Sequence, residues 1–82
     1  MVRVTCASHD ARQFTGGLDT LEVQASSVRT LIRELDRRFP GMGEHVREKM
    51  ALAIDGEIYQ DVLDAPLPPG SEVALIPRIA GG

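Results

Sequence analysis

Few side chains in this sequence are of the types that make or break bonds, and they are scattered: one cysteine, Cys6, and two histidines, His9 and His45. Cys6 closes the alternating segment Val2-Arg3-Val4-Thr5-Cys6, whose period of two puts it on the buried face of a strand, where a thiol acts as a small apolar residue. His9 and His45 are far apart and have no ligand spacing around them, so neither supports a metal site. Gly16-Gly17 is too short for a phosphate loop and has no helix directly after it; it reads as a turn. What remains is the last pair, Gly81-Gly82, where the group available for chemistry is the carboxylate of Gly82. A carboxylate is a poor acyl donor at neutral pH until it is given a leaving group, and forming an acyl-adenylate with ATP does this. Sulfide or a persulfide can then displace the adenylate and leave a thiocarboxylate. Residues that enter a narrow adenylating site must be extended and thin, and glycine has no side chain to clash with such a channel.

The rest of the chain has to hold that terminus out. With 82 residues, 43% of them hydrophobic and 26% charged, the sequence is sized and composed for one folded unit, spanning residues 1–82 with an exposed tail at 77–82. Residues 2–6 read as the first strand and residues 7–14 as a polar, irregular connection. After Thr15-Gly16-Gly17 a second strand is expected within 18–24, antiparallel to the first. Ser26 or Ser27 is placed to cap a helix of about three turns, along which Val28, Leu31, Ile32, Leu35 and Phe39 form one apolar stripe. Pro40 stops that helix, and Gly41 and Gly43 loosen the chain beyond it. Met50-Ala51-Leu52-Ala53-Ile54 reads as a third strand, Asp55-Gly56 as a tight hairpin turn, and Ile58-Tyr59 as a brief return. Leu67-Pro68-Pro69-Gly70 is a turn, and residues 71–76 form the last strand, whose ladder Pro77 should end for want of an amide hydrogen. The helical stripe is expected to pack on Val2, Val4, Leu52, Ile54 and Val73. An order of strand, strand, helix, strand, strand with one helix on a mixed sheet fits several small two-layer folds.

Charge and composition narrow the partners. Nine basic and twelve acidic residues give a net charge of -3, and the basic ones, all arginine except Lys49, are spread along the chain. There is no positive stripe for nucleic acid or a membrane surface. The amino-terminal residues lack the apolar stretch of a signal peptide, and a lone cysteine forms no internal disulfide, so a cytoplasmic setting is expected.

The segment Leu67-Pro68-Pro69-Gly70-Ser71-Glu72-Val73-Ala74-Leu75-Ile76-Pro77-Arg78-Ile79-Ala80-Gly81-Gly82 resembles the end of the MoaD/ThiS family: a glycine turn, an acidic-Val-Ala strand, two bulky apolar residues, a proline and a terminal Gly-Gly. Leu21-Glu22-Val23, Phe39-Pro40-Gly41 and Ala53-Ile54-Asp55-Gly56 fall in the same family order, so the likeness covers nearly the whole chain. The resemblance implies an α+β, ubiquitin-like β-grasp fold: a mixed sheet of four to five strands on one main helix, with the first and last strands as parallel central neighbours. It implies a sulfur carrier, a protein cosubstrate rather than an enzyme. Gly82 would be adenylated and thiocarboxylated by an E1-like enzyme that uses ATP, and the carrier itself would bind no cofactor. Gly81, Ala80, Ile79 and Arg78 would be recognised as the tail, and Leu75, Ile76 and Pro77 would form the docking contact, of which Leu75 and Ile76 must face opposite sides of their strand. Pro77 restricts Ile76 to extended geometry and aims the tail outward. Arg78 stands where the family often has a second proline, a departure that should make the tail more flexible and more cationic. The sulfur-accepting partner implied is the large subunit of a molybdopterin synthase, from Glu72-Val73-Ala74 and the apolar pair; the segment Phe14-Thr15-Gly16-Gly17 is similar instead to carriers for cysteine synthesis. Thiamine thiazole and conjugation to a protein lysine are the other fates such a tail has.

Overall fold

In the computed structural model, which describes residues 1–59 and 63–78, strand β1 (Val2–Cys6) buries Val2, Val4 and Cys6 and turns Arg3 outward. The connection after it is helical, not irregular: α1 (His9–Phe14) starts at Ser8, whose hydroxyl accepts the Ala11 amide hydrogen at 3.1 Å. Only Ala11 of this helix is fully buried, so it carries almost none of the apolar periodicity by which helices are recognised. Its cap supplies what periodicity does not, by satisfying an amide of the first turn. Gly16 and Gly17 both have positive φ, and the turn they make leads into β2 (Thr20–Val23).

Helix α2 (Val28–Arg38) begins with a capping box. Ser27 Oγ accepts from the Thr30 amide at 3.2 Å, and Thr30 Oγ1 accepts from the Ser27 amide at 3.0 Å. Val28, Leu31, Ile32 and Leu35 are buried along its inner face, and Phe39 closes the stripe from the half-buried C-cap position. They share one apolar cluster with Val2, Val4, Leu52, Ile54 and Val73, the packing expected from the sequence.

Beyond Pro40 the chain does not loosen but forms a further helix, α3 (Met42–Lys49), with Met42 and Val46 wholly buried one turn apart. The glycines that argued against a helix are what allow it. Gly41 enters at φ 92°, and the carboxylate of Asp36 on α2 accepts the Gly41 and Gly43 amides at 3.1 and 3.0 Å, capping α3 from the neighbouring helix. At Gly43 the two helices nearly touch. A Cβ there would lie 2.7 Å from Asp36 Cβ and 2.9 Å from the Ile32 carbonyl oxygen.

Strands β3 (Met50–Ile54) and β4 (Glu57–Tyr59) form the expected hairpin, with Asp55 and Gly56 at φ 48° and 91°. β5 (Glu72–Pro77) completes a sheet of order β2-β1-β5-β3-β4 in which only the β1-β5 pair is parallel. This is the β-grasp arrangement, with five strands and two helices beyond the expected scheme's single one. Pro77 does not end the ladder: it lies opposite Met50, and the Arg78 amide goes on to donate to the Lys49 carbonyl at 3.1 Å. The reason is the side on which its missing hydrogen falls. Ser71 and Leu75 present their carbonyls to β1, whereas Glu72 and Arg78 bond on the β3 side. Pro77 therefore faces the β1 edge, past the last bond that β1 makes, and no ladder bond is lost.

Replacing Leu35, wholly buried, with alanine should cost about 2–5 kcal/mol in urea unfolding. Gly43→Ala, a change that stabilises many helices, should here destabilise by about 1–3 kcal/mol, because the new methyl group meets backbone and Asp36.

Candidate functional site

β5 is hydrogen-bonded on both edges and is the last element before residues 79–82, so the placement of the tail starts with it. Its alternation sorts the expected docking residues. Leu75 is wholly buried beneath α2 and cannot touch a partner, which corrects the expectation for that residue. Ile76 is half-buried on the opposite face, and Pro77 is exposed.

That opposite face has a composition the sequence reading overlooked. Thr5, Ala74, Ala53 and Ile58 stand in register across four strands, and Ile76 pairs with Ala51 in a neighbouring row. Ile58 is 60% exposed. On the other side of the Thr5 row Arg3 lies opposite Glu72, with Arg3 Nη1 3.9 Å from Glu72 Oε1. The result is an outward strip of small and β-branched side chains bordered by charge, legible in principle from the alternation of β3 and β5.

Arg78 differs most from expectation. The sequence implies a flexible cationic position; in the fold its amide is bonded to the Lys49 carbonyl, and its guanidinium donates to the carbonyls of Arg47 at 2.7 Å and Met50 at 3.3 Å. These carbonyls lie at the end of α3, where a helix leaves acceptors unpaired and carries partial negative charge. The other residues expected in tail recognition, Ile79, Ala80 and Gly81, and Gly82, the expected site of modification, lie outside the described residues.

The scattered reactive types remain apart. Cys6 is 1% exposed, and burial pushes its thiol pKa up, with the Thr15 hydroxyl and the Arg12 cation acting in the opposite direction. His9 bonds Gln13 along α1, whereas His45 packs on Phe14 at 5.3 Å with its Nε2 3.6 Å from Asp10 Oδ2, joining α3 to α1. Among the described residues no three His, Cys, Asp or Glu side chains are grouped to hold a metal, and no helix is long and apolar enough to cross a membrane.

Comparison with known proteins follows this geometry closely. The model of the ThiS family matches residues 9–82. No curated protein matches. Among solved structures, a chain of the Amycolatopsis orientalis BexX/CysO complex is 23% identical over the full length of both chains, with a TM-score of 0.81. CysO of Mycobacterium tuberculosis is 17% identical over 96% of this chain and 100% of its own, with a TM-score of 0.83. A putative molybdopterin converting factor subunit 1 from Pyrococcus furiosus is 24% identical over 95% and 97%, with a TM-score of 0.72. At these identities the likenesses establish the fold.

The buried thiol gives a direct test. Cys6 should react with a disulfide reagent only as fast as the domain opens, and urea should expose it. Because its native pKa is raised, the stability gained from burying the neutral thiol is intact at pH 7. It should be lost as pH climbs past about 8.5, where the unfolded thiol begins to ionise, and through the higher native value. A Cys6→Ala variant should lack this alkaline loss.

Proposed function

The chain belongs to the ThiS family of small ubiquitin-like sulfur carriers, and from that premise we propose that it carries sulfur as a thiocarboxylate on the terminal carboxylate of Gly82. The observation that supports this most directly is the position of β5, a central strand clamped between β1 and β3, immediately before residues 79–82. A tail rooted in the middle of a sheet is held by hydrogen bonds on two sides, so its anchor does not shift when the tail is drawn into a partner.

The carboxylate of Gly82 attacks the α-phosphorus of ATP in the site of an E1-like enzyme, releasing pyrophosphate and forming an acyl-adenylate. Hydrosulfide then adds to the acyl carbon, the carbon-oxygen bond to AMP breaks, and the thiocarboxylate remains. Each step needs the partner's catalytic groups, and the carrier supplies position: Gly81 and Gly82 keep the approach narrow, and the strip of Thr5, Ala74, Ala53, Ile58 and Ile76 gives the body a face to dock. The protein acts as cosubstrate and catalyses nothing by itself. Its setting is the cytoplasm, with the thiol of Cys6 kept reduced.

The sulfur acceptor is a molybdopterin precursor on the large subunit of a synthase, a reading supported by the Glu72-Val73-Ala74 strand and the apolar pair and proline that follow it. A second acceptor, the precursor of cysteine, is supported by Phe14-Thr15-Gly16-Gly17, which ends α1 and forms the turn into β2.

Deleting Gly82 should abolish ATP-pyrophosphate exchange by the activating enzyme of the same organism while leaving the unfolding midpoint unchanged. Intact mass of the carrier from its native host should show a species heavier by about 16 mass units, sulfur in place of oxygen. Full exchange activity in the deletion variant sinks the mechanism. Incubating the thiocarboxylate with each synthase in turn assigns the acceptor.

A further inference from the structure

We propose that Arg78 is a positioning residue that fixes where the tail leaves the body, so that the segment offered to an activating enzyme is residues 79–82. The inference rests on the carrier reading above. Three carbonyls converge on this one residue: Lys49 takes its amide hydrogen at 3.1 Å, and Arg47 and Met50 take guanidinium hydrogens at 2.7 and 3.3 Å. The acceptors belong to the end of α3 and the start of β3, and neither is loose. α3 buries Met42 and Val46 completely and is capped at its other end by Asp36 of α2, while Met50 is 2% exposed and paired in the sheet. The amide bond prolongs the β5 ladder, and the guanidinium adds a second route, to the end of α3. A guanidinium suits the task because its Nη2 carries two hydrogens, enough for both carbonyls, and it is never deprotonated near neutral pH.

The mechanical result is a tail of defined length. Four residues span at most about 14 Å when fully extended, so the anchor sets how far into a partner the carboxylate of Gly82 reaches. Without the anchor, at least one more residue must be ordered each time the tail is bound. Fixing one residue's backbone is equivalent to about tenfold in affinity. The cost falls on binding, not on the adenylation step itself.

Two measurements on the full chain test this. In 15N relaxation of the isolated protein, the Arg78 amide should have an order parameter near about 0.85, falling below about 0.6 in Arg78→Ala. In pyrophosphate exchange, Arg78→Ala should raise the KM for the carrier about tenfold with kcat within about twofold, and the ratio should persist at about 0.5 M salt, where attraction between exposed charges is screened. A mobile Arg78 in the wild-type protein overturns the proposal, as does an unchanged KM in the variant. A KM difference that disappears at high salt also overturns it, since Arg78 would then act as a charge on the partner's surface. Absence of exchange by the wild-type chain itself refutes the carrier reading and the positioning role together, whereas an unchanged KM refutes the positioning role alone.

Discussion

The whole arrangement depends on β5 having two neighbours. β1 and β3 do not touch each other; each is bonded to β5, parallel on one side and antiparallel on the other. The strand therefore joins two hairpins that would otherwise be separate, and its inward residues, Val73 and Leu75, are among the fully buried side chains over which α2 packs. Pairing on both edges gives the buried backbone of β5 partners on two sides, and the one residue unable to donate, Pro77, faces the β1 edge past the end of β1. The same strand is the root of the tail. Alternate residues of this one element serve two faces: Val73 and Leu75 the core, Ala74 and Ile76 the outer face.

Elements that bury a regular stripe were legible in the sequence. β1 and β5 alternate, β3 is a short apolar run, α2 has a stripe and a capping serine, and Asp55-Gly56 marks its turn by the backbone angles it permits. The two missed helices show where that logic stops. α1 buries little, so its signal was confined to the Ser8 cap, and three-residue spacing from Ser8 to Ala11 is too common to decide anything alone. α3 carried usable signs, namely Met42 and Val46 four apart, Glu44 in the first turn and Arg47 and Lys49 in the last, but Gly41 and Gly43 outweighed them. Gly43 is a glycine because of α2, and a contact between elements is not written in local sequence. Its closeness to Ile32 and Asp36 is tertiary information.

The site divides in the same way. The proposal that the reaction takes place at Gly82 starts from the Gly81-Gly82 pair in the sequence, and the opposite facing of Leu75 and Ile76 follows from strand geometry. The role of Arg78 does not. Its partners are carbonyls about thirty positions earlier, and carbonyls have no residue identity to read, so the sequence alone gives a flexible, cationic tail-recognition position and no anchor. Substituting arginine at a position where the family often has proline exchanges one form of restraint for another: proline stiffens the chain locally through its ring, whereas arginine ties it to another element.

The parallel pairing of β1 with β5 has a further effect, on the order in which the molecule can assemble. Arg3 must find Glu72, a partner from the far end of the chain, and no short hairpin brings them together. Closing so large a loop is slow because its entropy is lost before any contact repays it, so sheet completion should be the late step in folding. A chain interrupted before residue 72 would have both hairpins yet no strand to unite them, with the unsatisfied edges of β1 and β3 open to aggregation or proteolysis. By topology, then, the sheet cannot be completed until β5, the last of its strands in chain order, has been made.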